Sequence, residues 1–215
     1  YCIDFCTEIL YNIGKKIKAV IFMSNVELIK KIIEENNGIL LSRELRKKNI
    51  HLQYINQLEK SGYIEKVARG IYVKKERNVN EFFVIGERYK KGIFSYNTAL
   101  YFHNLTDRTP LKLDLTFPRN ITVHDELINV HYIENKYYMI GIEIKELQDG
   151  TKIRIYNKER TICDIIKSRN KMDPQILNMA VKEYFSQKDS NYILLMKYAK
   201  IFRIEKIIRY YSEVL

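Results

Sequence analysis

The chain has 215 residues, of which 46% are hydrophobic and only 8 are Gly and 3 Pro, so its composition excludes a disordered tail and a low-complexity protein. Its length accommodates one large domain, or a small domain followed by a medium one. The formal charge of +11 favours an anionic partner, with nucleic acid ahead of an anionic membrane surface, although a basic surface without such a partner is the alternative.

The three cysteines, Cys2, Cys6 and Cys163, are too few and too scattered to form a disulfide framework, which is typical of a protein in a reducing cytoplasm. The spacing of Cys2 and Cys6 matches neither a redox pair nor half of a usual zinc site. The apolar run Ala19–Met23 is too short to span a bilayer, and no signal-peptide pattern precedes it. We therefore expect neither membrane insertion nor secretion.

Residues 1–22 do not begin with Met and match the rest of the pattern poorly, so we predict that they are an upstream extension or a poorly defined helix. Met23 opens the first regular segment, because Ser24 and Glu27 have the spacing of a helix capping box. The first domain is accordingly predicted to begin at Met23.

The segment from 23 to 77 has the element order of a winged helix-turn-helix. Val26, Ile29, Ile32 and Ile33 form an apolar stripe at helical spacing. The predicted elements that follow are a short helix from Arg43 to Lys48 capped by Ser42, a third helix from His51 to Lys60, and strands Tyr63–Val67 and Ile71–Val73 joined by Ala68-Arg69-Gly70.

The third helix is predicted to present a polar face to DNA. If Leu52, Ile55 and Leu58 face the core, Gln53, Gln57 and Lys60 lie on the opposite side. Gln and Asn side chains can pair with the edge of adenine in the major groove, and Lys reaches phosphate or guanine. The candidate DNA-binding residues are Ser42, Arg43, Arg46, Gln53, Tyr54, Asn56, Gln57, Lys60, Lys66 and Arg69.

Charge supports that interpretation, because residues 23–77 hold 12 Lys or Arg against 7 Asp or Glu, a net charge of +5. Polar residues also cover the solvent face of any surface helix. The segment is compatible, too, with RNA binding and with a winged helix that contacts only protein.

Residues 78–215 are predicted to form a larger α/β domain, which makes the whole chain α+β, and Lys74 to Asn80 is interpreted as the linker. The predicted strands are Leu111–Phe117, Ile128–Ile133, Ile140–Leu147 and Lys152–Tyr156, with Asp149-Gly150 as a hairpin turn. The predicted helices are Glu81–Lys90, Asn97–His103, Lys158–Ser168, Pro174–Phe185, Tyr192–Phe202 and Glu205–Val214.

Three stretches of this domain are distinctive: Ser95–Pro110 (SYNTALYFHNLTDRTP), Leu115–Pro118 (LTFP) and Glu159–Asp164 (ERTICD). Together with the segment Arg69-Gly70-Ile71-Tyr72, they resemble the AbiEi family of antitoxins, which belong to type IV toxin–antitoxin and abortive-infection systems of bacteria. The similarity extends over nearly all of 23–215. The family usually has His at the position of Tyr96 and Gly at that of Asn104.

The resemblance implies a protein with two tasks in phage defence. The winged domain would bind inverted repeats in its own promoter and repress the antitoxin–toxin operon. The larger domain would counteract a nucleotidyltransferase-type toxin, often without forming a stable complex with it. The residues of the antitoxin-domain motif are His103, Asp107, Arg108, Glu159, Arg160 and Asp164.

The same residues allow a catalytic interpretation, with His103, Asp107 and Arg108 as reacting groups. The residues themselves favour structural roles, since Arg160 can pair with Asp164 four positions later and Arg108 is expected to orient a neighbour or form an ion pair. No glycine-rich phosphate loop, HExxH, paired CxxC or nucleophile elbow is present in the sequence. We therefore predict no enzyme, no metal site and no cofactor; the alternatives are a catalytic second domain and an adaptor that binds protein.

Overall fold

The computed structural model describes residues 25–214, so the predicted extension over 1–22, the start at Met23 and the cap at Ser24 lie outside the described residues. The chain is α+β and divides into two compact units between Val84 and Ile85. The sequence-based boundary between residues 77 and 78 stays a prediction.

The first unit alternates helices with short strands. Helix α1 is described over residues 25–35. It is followed by β1 (Ile39–Leu41), α2 (Ser42–Lys47), α3 (Gln53–Lys60), β2 (Ile64–Ala68) and β3 (Ile71–Lys74). The strands form an antiparallel sheet in the order β1-β3-β2. Strand β1 was not predicted, because three consecutive buried apolar residues show neither the alternation of a half-buried strand nor the period of a helix.

The core of this unit forms where α1, α2 and α3 meet the sheet. The predicted stripe of α1 is confirmed at Ile29, Ile32 and Ile33, which are buried against Leu45 and Ile55. The fully buried side chains of this cluster exclude water from the helix contacts, and each contributes about 1.5–3 kcal/mol by burial.

The predicted cap of α2 is wrong. Leu41 occupies the cap position in an extended conformation, and Ser42 is the first helical residue, with no side-chain capping bond. The Ser42 amide instead donates to the carbonyl oxygen of Gly70 at 2.9 Å. The start of α2 is therefore tied to the tip of the β2–β3 hairpin.

The second unit is built around one mixed sheet with helices packed on it. Its elements are α4 (Glu81–Arg88, which contains the boundary between the units), β4 (Ile93–Phe94), α5 (Tyr96–Phe102), β5 (Leu113–Pro118), β6 (Ile128–Ile133), α6 (Asn135–Tyr138), β7 (Ile142–Glu146), β8 (Lys152–Tyr156), α7 (Lys158–Lys167), a 3-10 turn (Arg169–Lys171), α8 (Pro174–Ser186), α9 (Tyr192–Phe202) and α10 (Glu205–Val214). The four predicted strands and six predicted helices are all present, with ends shifted by up to two residues.

The strand order is β6-β5-β4-β8-β7. The central strand β4 pairs antiparallel with β5 and parallel with β8, whereas β6 runs parallel to β5. Strand β4 has only two residues and was not predicted from the sequence. Its position brings the end of β8, and hence the start of α7, next to the beginning of α5.

Helix α7 is the most deeply buried helix element of this unit, since every residue from Glu159 to Ile166 is buried. The apolar residues of α7 pack against α8 and α9 in one cluster. The Cys163 thiol lies within that cluster, where burial raises its pKa. Among the described residues, no helix combines the length and apolar character needed to cross a bilayer.

Candidate functional site

The exposed side of α3 carries the polar residues that the sequence assigned to DNA contact. Gln53, Asn56, Gln57 and Lys60 are exposed. Ile55 and Leu58, on the opposite side, are buried with 2% exposure each. This face therefore offers amide donors and acceptors and one ammonium group to a partner, without a carboxylate among the four.

Tyr54 does not belong to that face. Its side chain is only 7% exposed and packs in the core of the first unit, and its hydroxyl accepts a hydrogen bond from Asn25 Nδ2 at 3.1 Å. The helical wheel placed Tyr54 on the flank of the polar face. A phenol can bury its ring while its hydroxyl keeps a hydrogen-bond partner, and the Tyr54 side chain is oriented in this way. Tyr54 is thus withdrawn as a DNA contact.

The remaining candidates lie on α2 and the hairpin. Arg46, Lys66 and Arg69 are exposed, whereas Ser42 and Arg43 are half-buried. The amide bond from Ser42 to Gly70 holds the hairpin tip, and with it Arg69, next to the start of α2. Arg46 on α2 and Arg69 on the hairpin therefore lie on two elements that this hydrogen bond connects.

One cation of the first unit is occupied by an internal network. Lys74 Nζ lies 2.6 Å from Glu34 Oε1, and the Tyr63 hydroxyl donates to the same oxygen at 2.9 Å. The hydrogen bond from Lys74 lowers the pKa of Glu34. This network ties α1 to the ends of the hairpin strands, and Lys74 is not among the candidate DNA contacts.

In the second unit, Arg160 is the centre of a buried charge network. Its side chain has no exposed surface, and its Nε donates to both oxygens of Asp164 at 3.0 Å, which confirms the predicted pair. Nη1 donates to the carbonyl oxygens of Tyr137 and Ile140. The guanidinium lies 4.3 Å from the ring centres of both Tyr156 and Phe202. Burial raises the pKa of Asp164, and the Arg160 charge opposes that shift.

Glu159 and His103 also have structural partners. Glu159 Oε1 accepts from the Asn191 amide at 3.0 Å and from the Tyr184 hydroxyl, which ties α7 to α8 and to the start of α9. His103 Nε2 lies 2.7 Å from the carbonyl oxygen of Tyr156. Burial lowers the pKa of His103 to about 4, so the imidazole is neutral at pH 7 and donates to that carbonyl.

The other two motif residues are at the surface. Asp107 is exposed, and Arg108 donates to Asp173 at 3.3 Å and to Gln175 at 2.9 Å, which confirms an ion-pairing role for Arg108. Apart from the Arg160–Asp164 pair, the motif residues do not contact one another, and the six are not gathered around one cavity. The motif describes contacts that hold α5, α7 and α8 together.

Tyr96 and Asn104, the two positions that differ from the residues expected from the resemblance, both have a positive φ. Asn104 follows α5 with a φ of 54°, a left-handed conformation that Gly and Asn adopt most readily. Tyr96 has a φ of 44°, which is costly for an aromatic residue. Its ring stacks on His131, with ring centres 3.9 Å apart.

Sequence reasoning did not select Asp114 or His131. Asp114 lies within the fully buried strand β5 and is 3% exposed, and its Oδ1 lies 2.7 Å from His131 Nε2 on β6. A carboxylate inside a mostly apolar strand was the available signal, since buried charges require partners. Within residues 25–214, no group of three or more His, Cys, Asp or Glu side chains is placed to hold a metal ion.

Comparison with solved structures finds a similar fold in the crystal structure of the Rv2827c protein from Mycobacterium tuberculosis. The TM-score is 0.52 at 11% sequence identity, over 80% of this chain and 70% of that one. At this identity the likeness concerns the fold alone. No curated protein gives a significant sequence match.

A family model described as "Transcriptional regulator, AbiEi antitoxin" matches residues 27–73. The matched segment runs from α1 to β3 and includes the polar face of α3. Residues 27–73 are therefore similar to the AbiEi antitoxin family of transcriptional regulators, and this likeness concerns the first unit.

Proposed function

We propose that the protein is an antitoxin and transcriptional autorepressor whose first unit is a winged helix-turn-helix that binds inverted repeats in its own promoter. The observation that carries the DNA-binding half is the polar face of α3, where Gln53, Asn56, Gln57 and Lys60 are exposed over a buried apolar side. This is the arrangement in which a recognition helix can enter the major groove while its other side stays packed.

Two neighbouring elements support this placement. Arg46 on α2 is exposed and suits the phosphates on one side of the groove. Lys66 and Arg69 on the hairpin suit the backbone or the adjacent minor groove, as a wing would. Contacts to phosphate give affinity without sequence preference, and the amide side chains of α3 supply the preference.

The test uses the full chain and a fluorescently labelled duplex of its own upstream region, with a shuffled duplex of equal length as the control. Anisotropy titrations between about 50 and 200 mM salt should show selective binding that weakens steeply as salt increases, because counterions are released from the phosphates. Equal affinity for both duplexes at every salt concentration would contradict the autorepressor proposal.

The second half of the proposal is that the α/β unit counteracts a nucleotidyltransferase-type toxin. The family match supports an antitoxin, and the resemblance of the three stretches in the second unit suggests the class of toxin. Expression of a nucleotidyltransferase encoded beside this gene should arrest growth, and co-expression of this chain should restore it. Affinity purification should recover little of the toxin, since the proposed antagonism needs no stable complex.

The toxin test has a control within the chain. A variant with Gln53→Ala, Gln57→Ala and Lys60→Ala should lose operator selectivity and still restore growth, because these residues belong to the first unit. Growth arrest with the wild-type chain, at a level at which the protein accumulates, would contradict the antitoxin proposal.

A further inference from the structure

The second unit contains a cleft along strand β6, which lies at one edge of the five-stranded sheet. Two neighbouring cavities of about 620 and 590 Å³ make up this cleft. The two cavities adjoin, because five residues line both of them: Tyr96, Val130, His131, Lys171 and Met172. We call this feature the β6 cleft. Its size is that of a site for a small organic ligand.

An aromatic pair forms the wall shared by both halves of the cleft. The rings of Tyr96 and His131 stack at 3.9 Å with an angle of 22° between their planes. The left-handed backbone of Tyr96 places its ring there at a conformational cost, and such costs persist where surrounding structure holds a side chain in place. Tyr132 and Tyr137 add two more aromatic rings to the larger half. The cleft therefore suits a planar ligand group.

The smaller half of the cleft contains hydrogen-bond acceptors without donors. Asp114 and Asn97 both line it. Asp114 Oδ2 and Asn97 Oδ1 are buried, and neither has a hydrogen-bond partner within the described part of the chain. A buried carboxylate oxygen without a donor costs free energy, so a ligand with N–H or O–H groups would be stabilised here.

The rim of the larger half is cationic. Arg119, Lys167 and Lys171 line it and are exposed, and none of the three forms an ion pair with the residues between 25 and 214. The carboxylates nearby are already paired, since Glu134 lies 2.9 Å from Lys136 and Asp164 is held by Arg160. Arg119 and Lys167 act on Glu134 only through longer-range attraction, so three exposed cations on one rim favour a phosphate group.

We propose that the β6 cleft binds a nucleoside phosphate, with the phosphate at Arg119, Lys167 and Lys171 and the base beside the Tyr96–His131 pair. The N–H groups of the base, or the hydroxyls of the sugar, donate to Asp114 and Asn97. This site is separate from the polar face of α3 and does not depend on DNA binding by the first unit. The same chemistry is offered by a free nucleotide and by the 5′-terminal nucleotide of a strand.

Isothermal titration calorimetry of the full chain tests the proposal, with AMP, GMP, CMP, UMP and inorganic phosphate as the probes. At least one nucleotide should bind saturably, one per chain, and inorganic phosphate should bind about tenfold more weakly because it cannot reach the acceptors or the rings. Absence of saturable binding for all four nucleotides, or equal affinity for inorganic phosphate, would overturn the proposal.

Two variants place the binding within the cleft. Lys171→Gln should weaken both nucleotide and phosphate by about threefold to tenfold, because it removes a charge from the rim. Asp114→Asn should weaken the nucleotide by about tenfold and leave phosphate unchanged, because it removes an acceptor that phosphate does not use. Lys182→Gln, an exposed lysine on α8 outside the cleft, is the matched control and should bind as the wild type does.

Circular dichroism and thermal unfolding check that each variant folds; if Asp114→Asn does not, Lys171→Gln and Lys182→Gln still decide the result. Unchanged nucleotide binding in a folded Lys171→Gln variant would overturn the proposal. A 5′-phosphorylated dinucleotide distinguishes the two sources. Tighter binding than the mononucleotide, with the same loss in Lys171→Gln, assigns the cleft to strand ends; equal or weaker binding assigns it to free nucleotides.

Discussion

Helices α3 and α7 both carry polar side chains at helical spacing, yet the two helices place them in opposite environments. In α3, the side chains of Gln53, Gln57 and Lys60 are exposed to solvent. In α7, Arg160 and Asp164 are buried and hold each other. The difference shows that polar periodicity identifies a shared face, whereas the available partners decide whether that face is buried. Substitutions in α3 should therefore alter binding, and those in α7 should alter stability.

The largest expected effect comes from Arg160→Met. This change leaves Asp164 as a buried charge without its cation and removes two hydrogen bonds to backbone carbonyls, so it should cost roughly 3–5 kcal/mol in the free energy of unfolding. Urea unfolding followed by circular dichroism measures the cost. The exposed Arg209→Met on α10 is the matched control, and an equal effect of both changes would remove the distinction between buried and exposed charges.

A second comparison uses two glycines with similar positive φ values. A Cβ atom at Gly141, where φ is 78°, would lie 2.6 Å from Arg160 Cβ, whereas one at Gly62, where φ is 71°, would meet no atom within 4 Å. Gly62→Ala should cost roughly 1–2 kcal/mol for the backbone alone. Gly141→Ala should cost roughly 2–4 kcal/mol, because overpacking against Arg160 is added. Thermal and urea unfolding of both variants measure the costs. Equal costs would contradict the prediction, because they would mean that the backbone near Arg160 moves to accommodate the added methyl group.

In α3 we expect Gln57→Ala and Lys60→Ala to weaken operator binding in different ways. Loss of a base-reading Gln57 should cost roughly 1–3 kcal/mol and relax the preference at one base pair. Loss of Lys60 should weaken all sequences alike and lower the salt slope by about one. Anisotropy with single-substitution operators separates the two. If Gln57→Ala retained full sequence preference, its assignment to base contact would be withdrawn.

His103 provides a prediction for pH. Its pKa is about 4 in the folded chain, below the ordinary value of 6.5, so the unfolded chain binds the proton more readily between these values. The contribution of His103 to stability is therefore complete above pH 6.5 and is lost as the pH falls towards 4, by roughly 1–2 kcal/mol at pH 5. Urea unfolding at pH 7 and pH 5 measures the loss. A His103→Gln variant should lose less stability between the two pH values, and the same loss in that variant would exclude His103 as its source.

The smallest effect is expected for Tyr54→Phe. Removal of the hydroxyl breaks the hydrogen bond from Asn25 and should cost about 1 kcal/mol of stability. Operator affinity should not change, because the side chain is buried in the core and not on the polar face of α3. A loss of operator affinity in a stable Tyr54→Phe variant would return Tyr54 to the set of DNA contacts.

The sequence predicted most helices and the longer strands, because their apolar periodicity extends over enough residues to be distinctive. It did not predict β1 and β4, which have three and two residues and exist only because longer strands pair with them. Tyr54 was misplaced for a related reason: a helical wheel ranks positions by angle and cannot show that Asn25 supplies a partner for a buried hydroxyl.

The polar groups of the second unit were predicted unevenly. The Arg160–Asp164 pair is local in sequence, so its spacing was sufficient to predict it. Asp114 and His131 are 17 residues apart and meet only through the pairing of β5 with β6, with Asp114 opposite Asn129 and His131 opposite Thr116. The cleft that they line depends on this register, which no periodicity in a single segment specifies.

The buried guanidinium of Arg160 also constrains how related chains can diverge. The cation and its carboxylate stabilise each other inside the protein, so loss of either one alone lowers the stability of the fold. Joint replacement of both by apolar residues of similar volume can be tolerated. We therefore expect positions 160 and 164 to change together among related chains. A lineage that loses one should have lost the other, and the ring surfaces of Tyr156 and Phe202 should then enclose an aliphatic side chain.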